Sequence, residues 1–127
     1  MNIHQIDWSR LEWKTIRPGV EQKAFSGSGA TIALHRLQPS HEPKPHKHAN
    51  EQIAYIVSGT ADFHVAGEVT RLGPGGLIVV PPDTMHHAVV VGDEEVINID
   101  VFTPARPEYA PLPEAVAGGA DGEVDGA

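Results

Sequence analysis

Six short apolar runs, each closed by a turn rich in Gly, Pro or Asp, constrain this 127-residue chain more than any other feature. They are 31–37 (TIALHRL), 52–57 (QIAYIV), 61–65 (ADFHV), 77–80 (LIVV), 88–91 (AVVV) and 96–102 (VINIDVF). Between them lie SGSG, QPSHEPKP, SG, AG, GPGG, PPDT and GDEE, and no stretch carries a sustained helical period. Four to seven residues make a strand but fall short of a helix, and β-branched side chains fit a pleated surface. The pattern therefore predicts an all-β single domain, a small antiparallel sandwich or barrel. The opening residues, with Trp8 and Trp13, are expected to lie against it as a strand or arm, the two indoles serving as packing.

Composition removes several classes of function. The absence of cysteine excludes disulfides, Fe–S clusters, thiolate zinc sites and a cysteine nucleophile. Seventeen acidic residues against nine basic ones give a net charge of −8, which argues against nucleic acid as a partner. No apolar run approaches the roughly 18 residues of a membrane helix. The opening MNIHQIDWSR lacks the basic flank and apolar core of a secretory leader, so a soluble, cytoplasmic chain without a membrane partner is expected. Residues 110–127 hold four acids and no Lys or Arg, are rich in Gly and Ala, and are predicted to be a disordered tail. The working domain is then 1–109.

The histidines are the chemical signal. His46 and His48 stand at i and i+2, a spacing that projects both imidazoles from one side of an extended chain. A lone H-x-H is usually solvated surface, but here Gln52 follows at the start of an apolar strand and shares a face with Ala54 and Ile56. His86 comes after the LIVV strand and the PPDT turn. Closing a barrel would bring His86 over the first pair, giving three imidazoles and one amide oxygen around one ion, with positions left for water or substrate.

These offsets are where the chain resembles the cupin superfamily of small β-barrels (double-stranded β-helix, or jelly roll). The motif G-x5-H-x-H-x3,4-E-x6-G reads here His46-x-His48-x3-Gln52-x6-Gly59, with Ser40 for the first Gly and Gln52 in the Glu slot. The motif G-x5-P-x-G-x2-H-x3-N reads Gly75-x5-Pro81-x-Asp83-x2-His86, with Asp83 for the turn Gly and Val90 for the Asn. Asp tolerates the left-handed backbone that such a turn needs. Strand parity and the family spacing choose Gln52 over Glu51, and the motif offset chooses His86 over His87. His64 is expected to face outward, and His4, His35 and His41 to be surface groups.

A centre of three neutral imidazoles and a neutral amide keeps the full charge of a divalent ion, whether Ni, Zn, Mn, Co or Fe. It should be a strong electrophile and a good host for an anion, and it should stabilise an oxidised metal poorly. In 96–102, Ile97, Ile99 and Val101 form a wholly apolar face that is expected to pack, leaving Asn98, Asp100 and Phe102 toward a cavity. Arg106 can reach back to the barrel mouth. The run HKHANEQIAYIVSG, then PPDTMHH, then DVFTPARPEY resembles the KdgF group of pectin-degradation cupins, the unsaturated-pyranuronate lyases. That resemblance implies a metal held by His46, His48, Gln52 and His86, with Asp100, Phe102 and Arg106 near a small sugar-acid substrate. It also implies conversion of a 4,5-unsaturated monouronate to its open-chain keto form, and, as in other small cupins, a homodimer. Two further readings are a metal-dependent small-molecule dioxygenase and a non-catalytic metabolite-binding module.

Overall fold

The computed structural model describes residues 3–109; the expected tail, 110–127, lies outside the described residues. The alternating runs form antiparallel strands β1 (Lys14–Arg17), β2 (Val20–Ser26), β3 (Thr31–Leu37), β4 (Glu51–Ser58) and β5 (Ala61–Val65). They continue as β6 (Glu68–Leu72), β7 (Leu77–Val80), β8 (His86–Val90) and β9 (Val96–Thr103). Six strands make one sheet in the order β1-β2-β3-β9-β4-β7, and three make another, β6-β5-β8. Inserting β9 between β3 and β4 is the crossover of a jelly roll. Val20, Leu37, Ala54, Ile56 and Val96 of the large sheet meet Ala61 and Phe63 of the small one in a single core. Among the described residues, no helix is long and apolar enough to cross a membrane.

Three strands carry no apolar run in the sequence. β2 (VEQKAFS) turns Val20, Gln22 and Ser26 inward, while β1 and β6 are sheet edges whose residues are mostly exposed. Turn chemistry is plainer. Ala66 and Gly67 take φ of 51° and 84° between β5 and β6, the two left-handed residues of a tight hairpin. Asp83 sits at φ 56°, a left-handed conformation that Asp accepts more readily than most residues. Gly59, at φ +82°, also lies against the β9 backbone, where an added Cβ would come within 2.4 Å of the Glu95 carbonyl oxygen.

Which side of each strand faces inward corrects one expectation. β3 buries Thr31, Ala33, His35 and Leu37, and β9 buries Val96, Asn98, Asp100 and Phe102. The apolar set Ile97, Ile99 and Val101 is the outer face and only half-buried. It therefore does not turn into the packing expected of it. On β4, Gln52, Ala54 and Ile56 share the inner face as expected, while Ile53, Tyr55 and Val57 remain exposed. The barrel interior at this end is reserved for polar groups, and ladder register forces the more apolar face outward.

Candidate metal centre

The register of three neighbouring strands builds the site. Asp100 on β9 stands directly between Ala33 of β3 and Ala54 of β4, both fully buried. Those two small residues leave space on either side of the carboxylate. Into it reach the diagonal neighbours: His35 from β3 and Gln52 from β4. Asp100 Oδ1 accepts from Gln52 Nε2 at 2.9 Å, and Oδ2 accepts from Asn98 Nδ2 at 2.9 Å and from His35 Nδ1 at 2.7 Å. Gln22 Nε2 donates in turn to His35 Nε2 at 3.0 Å. A carboxylate only 5% exposed is tolerated because these donors replace its lost water.

Three imidazoles face the far end of Gln52. The Pro-rich segment before β4 is tied to β8 by paired backbone bonds between His46 and His86. The ring nitrogens of His46, His48 and His86 that could act as ligands lie within 4.8 Å of one another. Each Nδ1 bonds a backbone carbonyl two residues away: His46 to Lys44 at 2.8 Å, His48 to Asn50 at 3.0 Å and His86 to Thr84 at 2.8 Å. A carbonyl can only accept, so each Nδ1 carries the proton and each Nε2 presents a lone pair. Burial, with the neighbouring imidazoles adding to it, holds His46 and His86 below the usual imidazole pKa, so both are neutral near pH 7.

That tautomer pattern has a consequence at Gln52. Its Nε2 is committed to Asp100, so Oε1 is the atom that lies 3.1 Å from both His48 Nε2 and His86 Nε2. Oxygen and nitrogens are all acceptors, with no proton between them. Converging lone pairs repel unless a cation sits among them, and neutral imidazole and amide oxygen suit a borderline divalent ion. The donor set thus fits one divalent metal held by His46, His48, Gln52 and His86.

A cavity of about 110 Å³ opens beside this set, with Asp100, Asn98, Phe102 and Tyr109 on its wall. The Phe102 ring stands edge-on to His48 at 5.5 Å and to Tyr109 at 5.2 Å. The residues expected from sequence are brought together, but Arg106 stands apart from the cavity wall. Its guanidinium lies over the rings of Tyr109 (4.0 Å) and Phe102 (5.0 Å), and its Nε donates to Glu108 at 3.0 Å. Its Nη1 is buried with no hydrogen-bond partner among the described residues.

The other histidines divide. Glu51 points outward and is exposed, and His64 stacks on His87 of the adjacent strand at 4.3 Å, on the outer side of the small sheet. His35 and His41, expected at the surface, are both buried. His41 bridges the Gln38 and Ala88 carbonyls and packs under Gly19, and His4 is half-buried. His35 was hidden by its strand: beside it Ile32 and Leu34 offer the more apolar face, yet alternation with Thr31, Ala33 and Leu37 is a signal that could have found it.

The comparisons agree with the geometry. The cupin domain family matches residues 33–102, which spans β3 to β9 and all four candidate ligands. This chain belongs to the cupin family. It is similar to the pectin degradation protein KdgF of Dickeya dadantii, 28% identical over 100 residues that cover 76% of this chain and 89% of that protein. The structure of KdgF from Halomonas sp. superposes with a TM-score of 0.74 at 28% identity, covering 81% of this chain and 94% of that one. An acireductone dioxygenase of Bacillus pumilus is 33% identical over 86 residues, 64% of this chain. The chain spans 48% of that dioxygenase and about half or less of the other first curated relatives apart from KdgF.

Proposed function

We propose that this cupin is a metal-dependent enzyme that linearises 4,5-unsaturated monouronates, the products of pectin or alginate lyases, to their open-chain keto form. The observation that carries the reading is the neutral ligand set, with its amide oriented by a buried carboxylate that also lines the cavity. The likeness to KdgF, which extends over most of both chains, supports it. Because no ligand carries a charge, a divalent ion there supplies its full positive charge to draw and polarise substrate oxygens.

The reaction is an isomerisation. The anomeric hydroxyl gives up a proton, the bond from C1 to the ring oxygen opens, and C4 takes up a proton as the enol becomes a ketone. No electron acceptor is required. Asp100 is the group assigned to carry that proton, with His35 behind it holding the carboxylate in place. Phe102 walls one face of the sugar. Arg106, its charge answered by Glu108, stacks on Phe102 and Tyr109 and holds those two rings at the cavity wall. We also assign the exposed apolar outer face of β4 and β7 to the subunit contact of a homodimer, and the cytoplasm as its compartment.

The test is loss of the conjugated ultraviolet absorbance of an unsaturated galacturonate monomer, under nitrogen, with metal-loaded protein. Spontaneous opening is subtracted using buffer and a His48→Ala control. Metal-dependent acceleration without oxygen is the expected result. The dioxygenase relatives supply the second reading: oxygen consumption with iron-loaded protein, and no acceleration on the uronate, would replace the first with it.

A further inference from the structure

Arginine is matched by carboxylate over much of this acidic molecule. Arg36 pairs with Glu21, Arg71 with Asp62 at 2.8 Å, and Arg106 with Glu108 at 3.0 Å. The two fixed cations on the cavity wall are different. Arg17, at the end of β1, and Lys44, in the Pro-rich segment before His46, form no ion pair among the described residues. Arg17 is half-buried, and its side chain makes one long hydrogen bond, Nε to the Glu42 carbonyl at 3.4 Å. Both terminal amino groups of its guanidinium are left without a protein acceptor among the described residues. Such a fork is the geometry that takes a carboxylate through two parallel bonds.

The two cations line the same cavity as His46, His86 and Asp100. Arg106, by contrast, is not on that wall and stacks on Phe102 and Tyr109. One ligand in that cavity can therefore meet Arg17 as well as the side chains of the candidate metal centre.

We infer that Arg17 and Lys44 form an anion subsite that anchors the carboxylate of a sugar-acid ligand at the cavity mouth, directing its hydroxylated end to the metal and Asp100. This rests on the uronate reading for its ligand, but not for its charge. A chain of net charge −8 repels anions at long range, so local uncompensated cations are what make such a ligand acceptable.

The experiment uses the full-length, metal-loaded protein and two unreactive probes, D-galacturonate and its uncharged methyl ester, titrated calorimetrically. The wild type is expected to prefer the acid by about tenfold or more, the scale of a charged hydrogen bond. Arg17→Ala should erase most of that preference by weakening the acid alone, Arg17→Lys should restore part of it, and Lys44→Ala should lower it by a smaller factor. Arg17→Lys and Lys44→Ala, the latter at an exposed position, guard against misfolding. On the unsaturated substrate, Arg17→Ala should raise KM about tenfold with a much smaller change in kcat. Equal binding of acid and ester by the wild type, or a preference lost in Arg106→Ala and kept in Arg17→Ala, would overturn the subsite. A wild type that fails to turn over the uronate yet loses acid preference in Arg17→Ala would defeat the enzymatic reading and leave the subsite intact. Normal turnover with an unchanged KM in Arg17→Ala would do the reverse.

Discussion

The two faces of the β3-β9-β4 sheet invert the usual arrangement. Its inner face at the barrel mouth carries His35, Asn98, Asp100 and Gln52, all buried, while its outer face carries Ile53, Tyr55, Val57, Ile97, Ile99 and Val101. Both faces belong to the same strands and share one register. The inner polar groups survive burial because each main donor and acceptor has a partner on a neighbouring strand. The outer apolar groups have no such requirement and no such specificity. Burial here is thus decided by what the cavity needs, and hydrophobicity is satisfied where the ladder leaves room for it.

The sharpest way to break the contrast is at its inner centre. Asp100→Asn keeps the shape of the side chain and removes its charge, so turnover should drop by ~10²- to 10⁴-fold, the range for a lost proton carrier. Metal content, measured by elemental analysis, should stay within about twofold, because an amide oxygen can still accept from Gln52. Parallel loss of metal and activity would instead make Asp100 only a support for the ligand set.

Stability gives the next largest effect. Ile56 and Ile53 lie three residues apart on β4, one fully buried and one 38% exposed. At a dilution that keeps the protein monomeric, Ile56→Ala should cost about 2–5 kcal/mol in denaturant unfolding, and Ile53→Ala less than about 1 kcal/mol. Comparable costs at that dilution would mean that Ile53 packs within the monomer.

Gln52→Glu probes the network more gently. It puts a carboxylate oxygen where an amide now donates to Asp100 at 2.9 Å, so the metal-free protein should lose about 1–3 kcal/mol. An added divalent ion would neutralise part of that repulsion, and the gap in Tm between metal-free and metal-loaded protein should widen relative to wild type. A narrower gap would speak against Gln52 as a ligand.

On the outer face, Leu77→Glu with Val79→Glu changes two residues that are 61% and 53% exposed. Folding stability at low concentration should move by only about 0.5 kcal/mol. The mass in solution, by light scattering, should fall from dimer to monomer. An unchanged mass would detach the outer face from the subunit contact.

Much of this was legible in the residues, for reasons the two faces make clear. The strands with apolar runs, β3, β4, β5, β7, β8 and β9, announce themselves, and His46, His48, Gln52 and His86 follow from alternation and fixed offsets. β2 and β6 do not, since a strand recruited for a polar interior or a sheet edge needs no apolar run. His35 was concealed by the rule that an apolar face turns inward, which fails where the interior must hold a carboxylate. Arg17 and Lys44 carry no local pattern; only closure of the barrel brings the end of β1 and the Pro-rich loop to one cavity.

The three imidazoles are each steered by a backbone carbonyl two residues away. Gln52 is not: its amide is gripped by the same carboxylate that faces the ligand. Whatever arrives at Asp100 would therefore act on the proposed metal centre through one of its four side chains, Gln52. In a cobalt-substituted protein, an absorption band would then gauge occupancy of the neighbouring chamber, and changes to that chamber's walls would reach the centre chiefly through Gln52.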